Sequence, residues 1–144
     1  MHVSTPFLDQ FQLQLVEKLN EISPHNDLVK WASYSTLAPC KRLRPLMTYF
    51  ASNCNPASLD IATSIELIHT YSLIHDDLPA MDNDDWRRGQ PSLHKHTSQA
   101  CAILTADMLL THAFTIIADS RNIQPSTKLR IISILSNASG GHGL

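Results

Sequence analysis

The sequence predicts an all-α fold of about six helices in one unit covering residues 1–144, and three observations carry that expectation. Apolar residues recur at helical spacing along most of the chain. Proline or a short polar residue stands where each helix would begin, and no segment alternates apolar and polar residues as a half-buried strand does.

Thr5 is placed to cap a first helix over about 6–20, with Pro6 in its first position and Phe7, Leu8, Phe11, Leu15 and Leu19 along it. Ser23-Pro24 repeats the start signal for a second helix, in which Leu28, Trp31 and Ala32 share a face and which Pro39 ends. The basic cluster Lys41, Arg42 and Arg44 precedes Pro45 and an apolar stretch over 46–51, a third helix with Pro45 in its first turn. Asn55-Pro56 opens the fourth and longest helix, through Ile61, Ile65, Ile68 and Leu73 to about Leu78, where Pro79 interrupts it. Residues 91–97 read as a loop. Ser98 caps a fifth helix carrying Ile103, Leu104, Leu110, Phe114 and Ile117, and Pro125 starts a sixth through Leu129, Ile132 and Leu135.

Composition narrows the function classes. Hydrophobic residues are 43% and charged residues 17%, a globular balance that argues against disorder. No apolar run is expected to approach the roughly 20 residues of a bilayer span, so no membrane partner is expected. Eleven Lys+Arg against 13 Asp+Glu give a formal charge of −2, without the basic excess of a nucleic-acid-binding domain. Cys40, Cys54 and Cys101 are odd in number, widely spaced and free of any CxxC, which fits neither a disulfide framework nor a zinc site. The opening MHVSTPFLDQ lacks a leader's basic and apolar regions, and a cytoplasmic protein is expected. Three of the four glycines, Gly140, Gly141 and Gly143, crowd the last five residues, so the sequence is expected to stop inside a loop.

The chemistry concentrates in one string, LIHDDLPAMDNDDWRRG, which holds five of the ten aspartates: Asp76, Asp77, Asp82, Asp84 and Asp85. On a helix His69, Leu73 and Asp76 share a stripe, with Ile65 and Ser72 beside it. Hard divalent cations such as Mg²⁺ take carboxylate oxygens and complete their shell with water and substrate phosphate. On an unbroken helix Asp76 and Asp82 would lie about 120° apart, and Pro79 supplies the break that lets them meet. An EF-hand starting at Asp82 fails, because Arg87 would occupy the sixth position, which requires glycine.

Arg87 and Arg88 follow the acids, and Lys41, Arg42 and Arg44 form a second basic group; guanidinium and ammonium groups bind phosphate oxygens directly. Acids beside bases point to a metal–diphosphate site, and mutual salt bridging of the same charges is the plain alternative. A third possibility is an all-α metal phosphohydrolase built on His75-Asp76, with His94, His96 and His112 as distant ligands.

The string ELIHTYSLIHDDLPAMDNDDWRRG, with KRLRP upstream and PSLH and AILTADMLL downstream, resembles the trans-type isoprenyl diphosphate synthases, of which bacterial farnesyl and geranylgeranyl diphosphate synthases are members. The likeness runs from Lys41 through Leu110 and implies an isoprenoid synthase-type helical bundle, of which this chain would be the N-terminal half. It implies Asp76 and Asp82 as Mg²⁺ ligands with Asp77 supporting, and Arg87 holding an allylic diphosphate. Lys41, Arg44, His69 and Arg88 would bind isopentenyl diphosphate. The implied reaction is Mg²⁺-dependent condensation of isopentenyl diphosphate with dimethylallyl or geranyl diphosphate. Leaving diphosphate is stabilised, the isopentenyl double bond attacks the allylic cation, and a proton is lost. Tyr71, with Ser72 beside it, would set product length and favour C15, unless Tyr71 is simply a core aromatic.

The sequence departs from the family pattern where Pro39-Cys40 replaces two glycines before Lys41 and where Ser98 and Ala106 replace others. The family's second aspartate-rich motif would lie beyond Leu144, so this half alone is expected to be inactive, although the complete enzyme would be a homodimer. A non-catalytic partner subunit of a full-length synthase is the other expectation the same residues allow.

Overall fold

A computed structural model describes residues 4–23 and 25–143. Among the described residues, seven helices account for nearly all regular structure: α1 (Ser4–Asn20), α2 (Asp27–Thr36), α3 (Leu43–Ala51), α4 (Ser58–Asp76), the single turn α5 (Leu93–His96), α6 (Gln99–Asp119) and α7 (Pro125–Ala138). Between α4 and α5 a small antiparallel hairpin pairs β1 (Trp86–Arg87) with β2 (Gln90–Pro91).

Packing centres on α4 against α6, the most extensive helix pair. Ser64 Oγ on α4 donates to the Ala113 carbonyl on α6 at 2.8 Å, a contact that needs small residues on both helices. Around that pair, Phe7, Phe11, Leu15 and Leu19 of α1 are buried at successive fourth positions with Ala32, Leu67, Ala102, Ala106 and Leu109. Each fully buried large apolar side chain contributes about 1.5–3 kcal/mol. α7 lies against α6 yet buries none of its residues.

Several boundaries differ from the sequence expectation. α1 already includes Ser4, so Thr5 lies within the helix rather than capping it. Pro24 lies outside the described residues, and α2 is capped by Asn26, whose side chain accepts from the Leu28 N–H at 2.9 Å. Asn55 does form a local turn, accepting from the Ala57 N–H at 2.9 Å, but α4 begins only at Ser58. Ser98 and Pro125 are where expected, Ser98 Oγ accepting from the Cys101 N–H and Pro125 opening α7.

Two elements were not expected. Both α5 and the hairpin are too short for periodicity to register, and α5 makes the helix count seven rather than six. The hairpin turn is Arg88-Gly89, both at positive φ (54° and 80°), the geometry whose twist matches two-residue antiparallel connections. The expectation of no long apolar run also needs correction, because the 21-residue α6 is by length and composition long and apolar enough to cross a bilayer. Here it serves as a core helix, with Ala102, Thr105, Ala106, Leu109, Ala113, Ile116 and Ile117 buried.

Candidate functional site

α4 ends at Asp76, before Pro79, and the chain turns sharply enough for the Asp82 N–H to donate to the Asp76 carbonyl at 2.8 Å. The break therefore brings the two aspartates together through the backbone. Asp76 is half-buried and Asp82 exposed, and the carboxylates of both are free of ion pairs among the described residues.

The other acids of the cluster are paired. Asp77 is 3% exposed and accepts from Arg87 Nε at 2.9 Å and also from Arg87 Nη2. Arg87 Nη2 reaches Asp84 at 3.0 Å as well, while Lys95 pairs with Asp85 at 2.9 Å. Mutual salt bridging thus accounts for Asp77, Asp84 and Asp85 but leaves Asp76 and Asp82. Hydrogen bonding to Asp77 raises the Arg87 pKa further, with Asp84 and Asp76 adding to it, so Arg87 is a permanent cation.

The hairpin is fastened to α2 by Gln90 Nε2 donating to the Tyr34 carbonyl at 3.0 Å and Tyr34 Oη donating to the Pro91 carbonyl at 2.8 Å. It carries Arg87 and Arg88 toward the segment before α3, and the two regions enclose a cleft of about 380 Å³. Lys41, Arg44, His69, Arg87 and Arg88 all line it, together with Cys40, Arg42 and Glu66. Every basic residue the sequence assigned to diphosphate binding meets in one place.

His69 accepts from Arg44, whose Nη1 lies 3.1 Å from His69 Nε2, since a guanidinium has no lone pair to offer. Burial first, then the Arg44 charge, lowers the His69 pKa, leaving a neutral ring at pH 7. Beside this cleft a more apolar groove of about 520 Å³ runs between α4 and α7. Tyr71 and Ser72 line it with Ile65, Ile68 and Leu135, and Arg44 and His69 border both cavities. Tyr71 also packs edge-on to His75, ring centroids 4.9 Å apart.

Arg42 and Glu66 were missed as a pair. Arg42 sits at the N-terminus of α3 with left-handed backbone (φ 48°, ψ 41°) and turns inward, 8% exposed, donating to Glu66 Oε1 at 2.6 Å and to the Thr36 carbonyl at 2.7 Å. The available signal was a lone acid in the apolar turn SIELIHT, on one stripe with His69, Leu73 and Asp76.

The distant histidines do not converge on His75-Asp76. His112 Nε2 bonds the Lys18 carbonyl at 2.9 Å, His96 stacks on Tyr34 at 4.0 Å, and His94 Nδ1 meets Ser92 Oγ at 3.2 Å. Among the described residues no three His, Cys, Asp or Glu side chains gather as a metal cage, and the phosphohydrolase arrangement is not formed. An all-oxygen pair such as Asp76 and Asp82 still suits Mg²⁺, which is held by one or two carboxylates and takes its remaining ligands from water and substrate phosphate.

Comparison with known proteins supplies the context for this geometry. The polyprenyl synthetase family model matches residues 25–141. Farnesyl diphosphate synthase of Geobacillus stearothermophilus is 51% identical over 123 residues, covering 81% of this chain and 41% of that protein. Geranylgeranyl diphosphate synthase of Pantoea ananas is 36% identical over 154 aligned residues, covering 100% of this chain and 51% of its own length. The solved geranyltransferase of Legionella pneumophila superposes with a TM-score of 0.84 at 38% identity, over 92% of this chain and 49% of that structure. The chain spans about half the length of the relatives it matches.

Proposed function

Because the chain belongs to the polyprenyl synthetase family, we propose that it carries the isopentenyl diphosphate site and one Mg²⁺ site of a prenyltransferase making farnesyl or geranylgeranyl diphosphate. The observation that carries this reading is the convergence of Lys41, Arg44, His69, Arg87 and Arg88 on one cleft.

In this reading Lys41, Arg44, His69 and Arg88 hold the diphosphate of isopentenyl diphosphate. Arg87, steadied by Asp77, faces the allylic diphosphate. Asp76 and Asp82 would hold Mg²⁺, which when bound supplies charge neutralisation to the departing diphosphate. The cations of the cleft fix the isopentenyl double bond against the allylic carbon as its C–O bond breaks, and this positioning is the protein's main contribution to rate. The apolar groove between α4 and α7 takes the growing hydrocarbon, with Tyr71 and Ser72 limiting its length. For these 144 residues the reading is diphosphate binding and positioning. We place residues 1–144 in a single all-α domain, corresponding to half of a cytoplasmic, homodimeric synthase.

The test is titration with inorganic diphosphate, with and without Mg²⁺, read by tryptophan fluorescence, since Trp86 stands 66% exposed beside the acids. Saturable binding that Mg²⁺ strengthens is expected; a flat response in both conditions removes the site. A second reading, a non-catalytic partner of a complete synthase, is favoured by α7, which buries no residue and exposes Leu129 and Ile134. Co-purification with a longer synthase would distinguish it.

A further inference from the structure

We propose that Glu66 is the positioning residue of the basic cleft, its buried carboxylate tying the two walls together through Arg42 and Arg88. This rests on the diphosphate reading of the cleft.

Glu66 is 2% exposed on α4, and its Oε1 accepts from Arg42 Nη1 at 2.6 Å and lies 3.9 Å from Arg88 Nη2. A carboxylate at that depth persists only when paired, and its partners come from opposite sides of the cleft. Arg42 belongs to the 40–44 segment with Lys41 and Arg44, and Arg88 belongs to the hairpin turn beside Arg87. Both guanidiniums are also fastened to the end of α2, Arg42 Nη2 to the Thr36 carbonyl at 2.7 Å and Arg88 Nη1 to the Ser35 carbonyl at 3.4 Å. With Arg42 turned inward, Lys41 and Arg44 on either side of it remain exposed. One anion and one helix end therefore set the spacing of the cations that would grip a diphosphate.

The charge of Glu66 and its placement make opposite demands. As a negative charge beside an anion site it repels diphosphate, so field alone predicts tighter binding when it is neutralised. As the tie between the walls it predicts weaker binding, because the cations lose their registry.

The experiment is calorimetric titration of the full chain with inorganic diphosphate in EDTA, so that no metal-bridged binding contributes, comparing wild type with the near-isosteric Glu66→Gln. The expected result is a rise in Kd of about tenfold, the scale of one charge-assisted hydrogen bond, in protein that a thermal melt shows to be folded. A merely structural role would lower the melting temperature and leave the Kd of the folded protein unmoved. An unchanged or smaller Kd overturns the proposal. Should Glu66→Gln not fold, Arg42→Lys takes its place with the same expectation and the same refutation, since it keeps the charge but cannot reach both Glu66 and Thr36. If wild type shows no saturable binding in EDTA, the cleft does not grip diphosphate without metal and the proposal falls, an outcome distinct from variants that bind as wild type does; only silence with Mg²⁺ as well removes the diphosphate reading itself.

Discussion

Arg87 bridges two carboxylates in different surroundings, and replacing it with alanine tests how the acidic loop is held. Its partner Asp77 has a side chain only 4% exposed, whereas Asp84 is 54% exposed and Arg87 itself 34%. Hydrogen bonds between charged groups contribute about 1.5–3 kcal/mol each when shielded, but exposed ion pairs give only about 0.2–1 kcal/mol. Arg87 donates twice to Asp77 and once to Asp84. Because a third of the arginine is in water, the two Asp77 contacts together are expected to fall below twice the lower shielded value, at about 2 kcal/mol. A double-mutant cycle separates the two partners: Arg87→Ala with Asp77→Ala should show coupling of about 2 kcal/mol, and Arg87→Ala with Asp84→Ala less than about 1 kcal/mol. Urea denaturation followed by far-ultraviolet circular dichroism supplies the free energies. Equal coupling to both aspartates, or none to Asp77, would refute the claim that burial on the Asp77 side decides how firmly Arg87 is held.

Four further outcomes are expected. Diphosphate binding should take up a proton near neutral pH, because His69 enters the reaction neutral, its pKa lowered by burial and by Arg44, and an arriving anion raises it; calorimetry in buffers of different ionisation enthalpy measures the uptake. The same lowered pKa, shared by half-buried His112, means that the folded state binds fewer protons than the unfolded one, so Tm should fall as pH drops below about 6.5. Cys40, exposed and lining the cleft, should react with maleimide more slowly when diphosphate is present, whereas Cys54 and Cys101 should not respond, as peptide mass mapping would show. Gly89→Ala should cost about 1–2 kcal/mol in a denaturant titration, since φ is 80° there, and because a Cβ would meet no neighbour within 4 Å the cost is one of backbone conformation alone.

Local chemistry made much of this protein legible from its sequence. Ser98 as a cap, Pro125 at a helix start, the Phe7-Phe11-Leu15-Leu19 stripe and the proline-marked end of α4 each act within a turn or two, where spacing along the chain equals spacing in the molecule. The acidic string and its neighbouring arginines were legible for the same reason. What tertiary structure decided is which way each charge faces and what it pairs with. Lys41, Arg42 and Arg44 read alike as a basic cluster, yet a left-handed backbone turns Arg42 inward onto Glu66 and leaves the other two exposed. Asp77 and Asp76 are adjacent in sequence, but Arg87, brought round by a hairpin too short to show a pattern, pairs with Asp77 and leaves Asp76 free of an ion pair among the described residues. Helix starts are fixed by nearest neighbours, whereas a buried ion pair forms only between groups that packing brings together from distant parts of the chain.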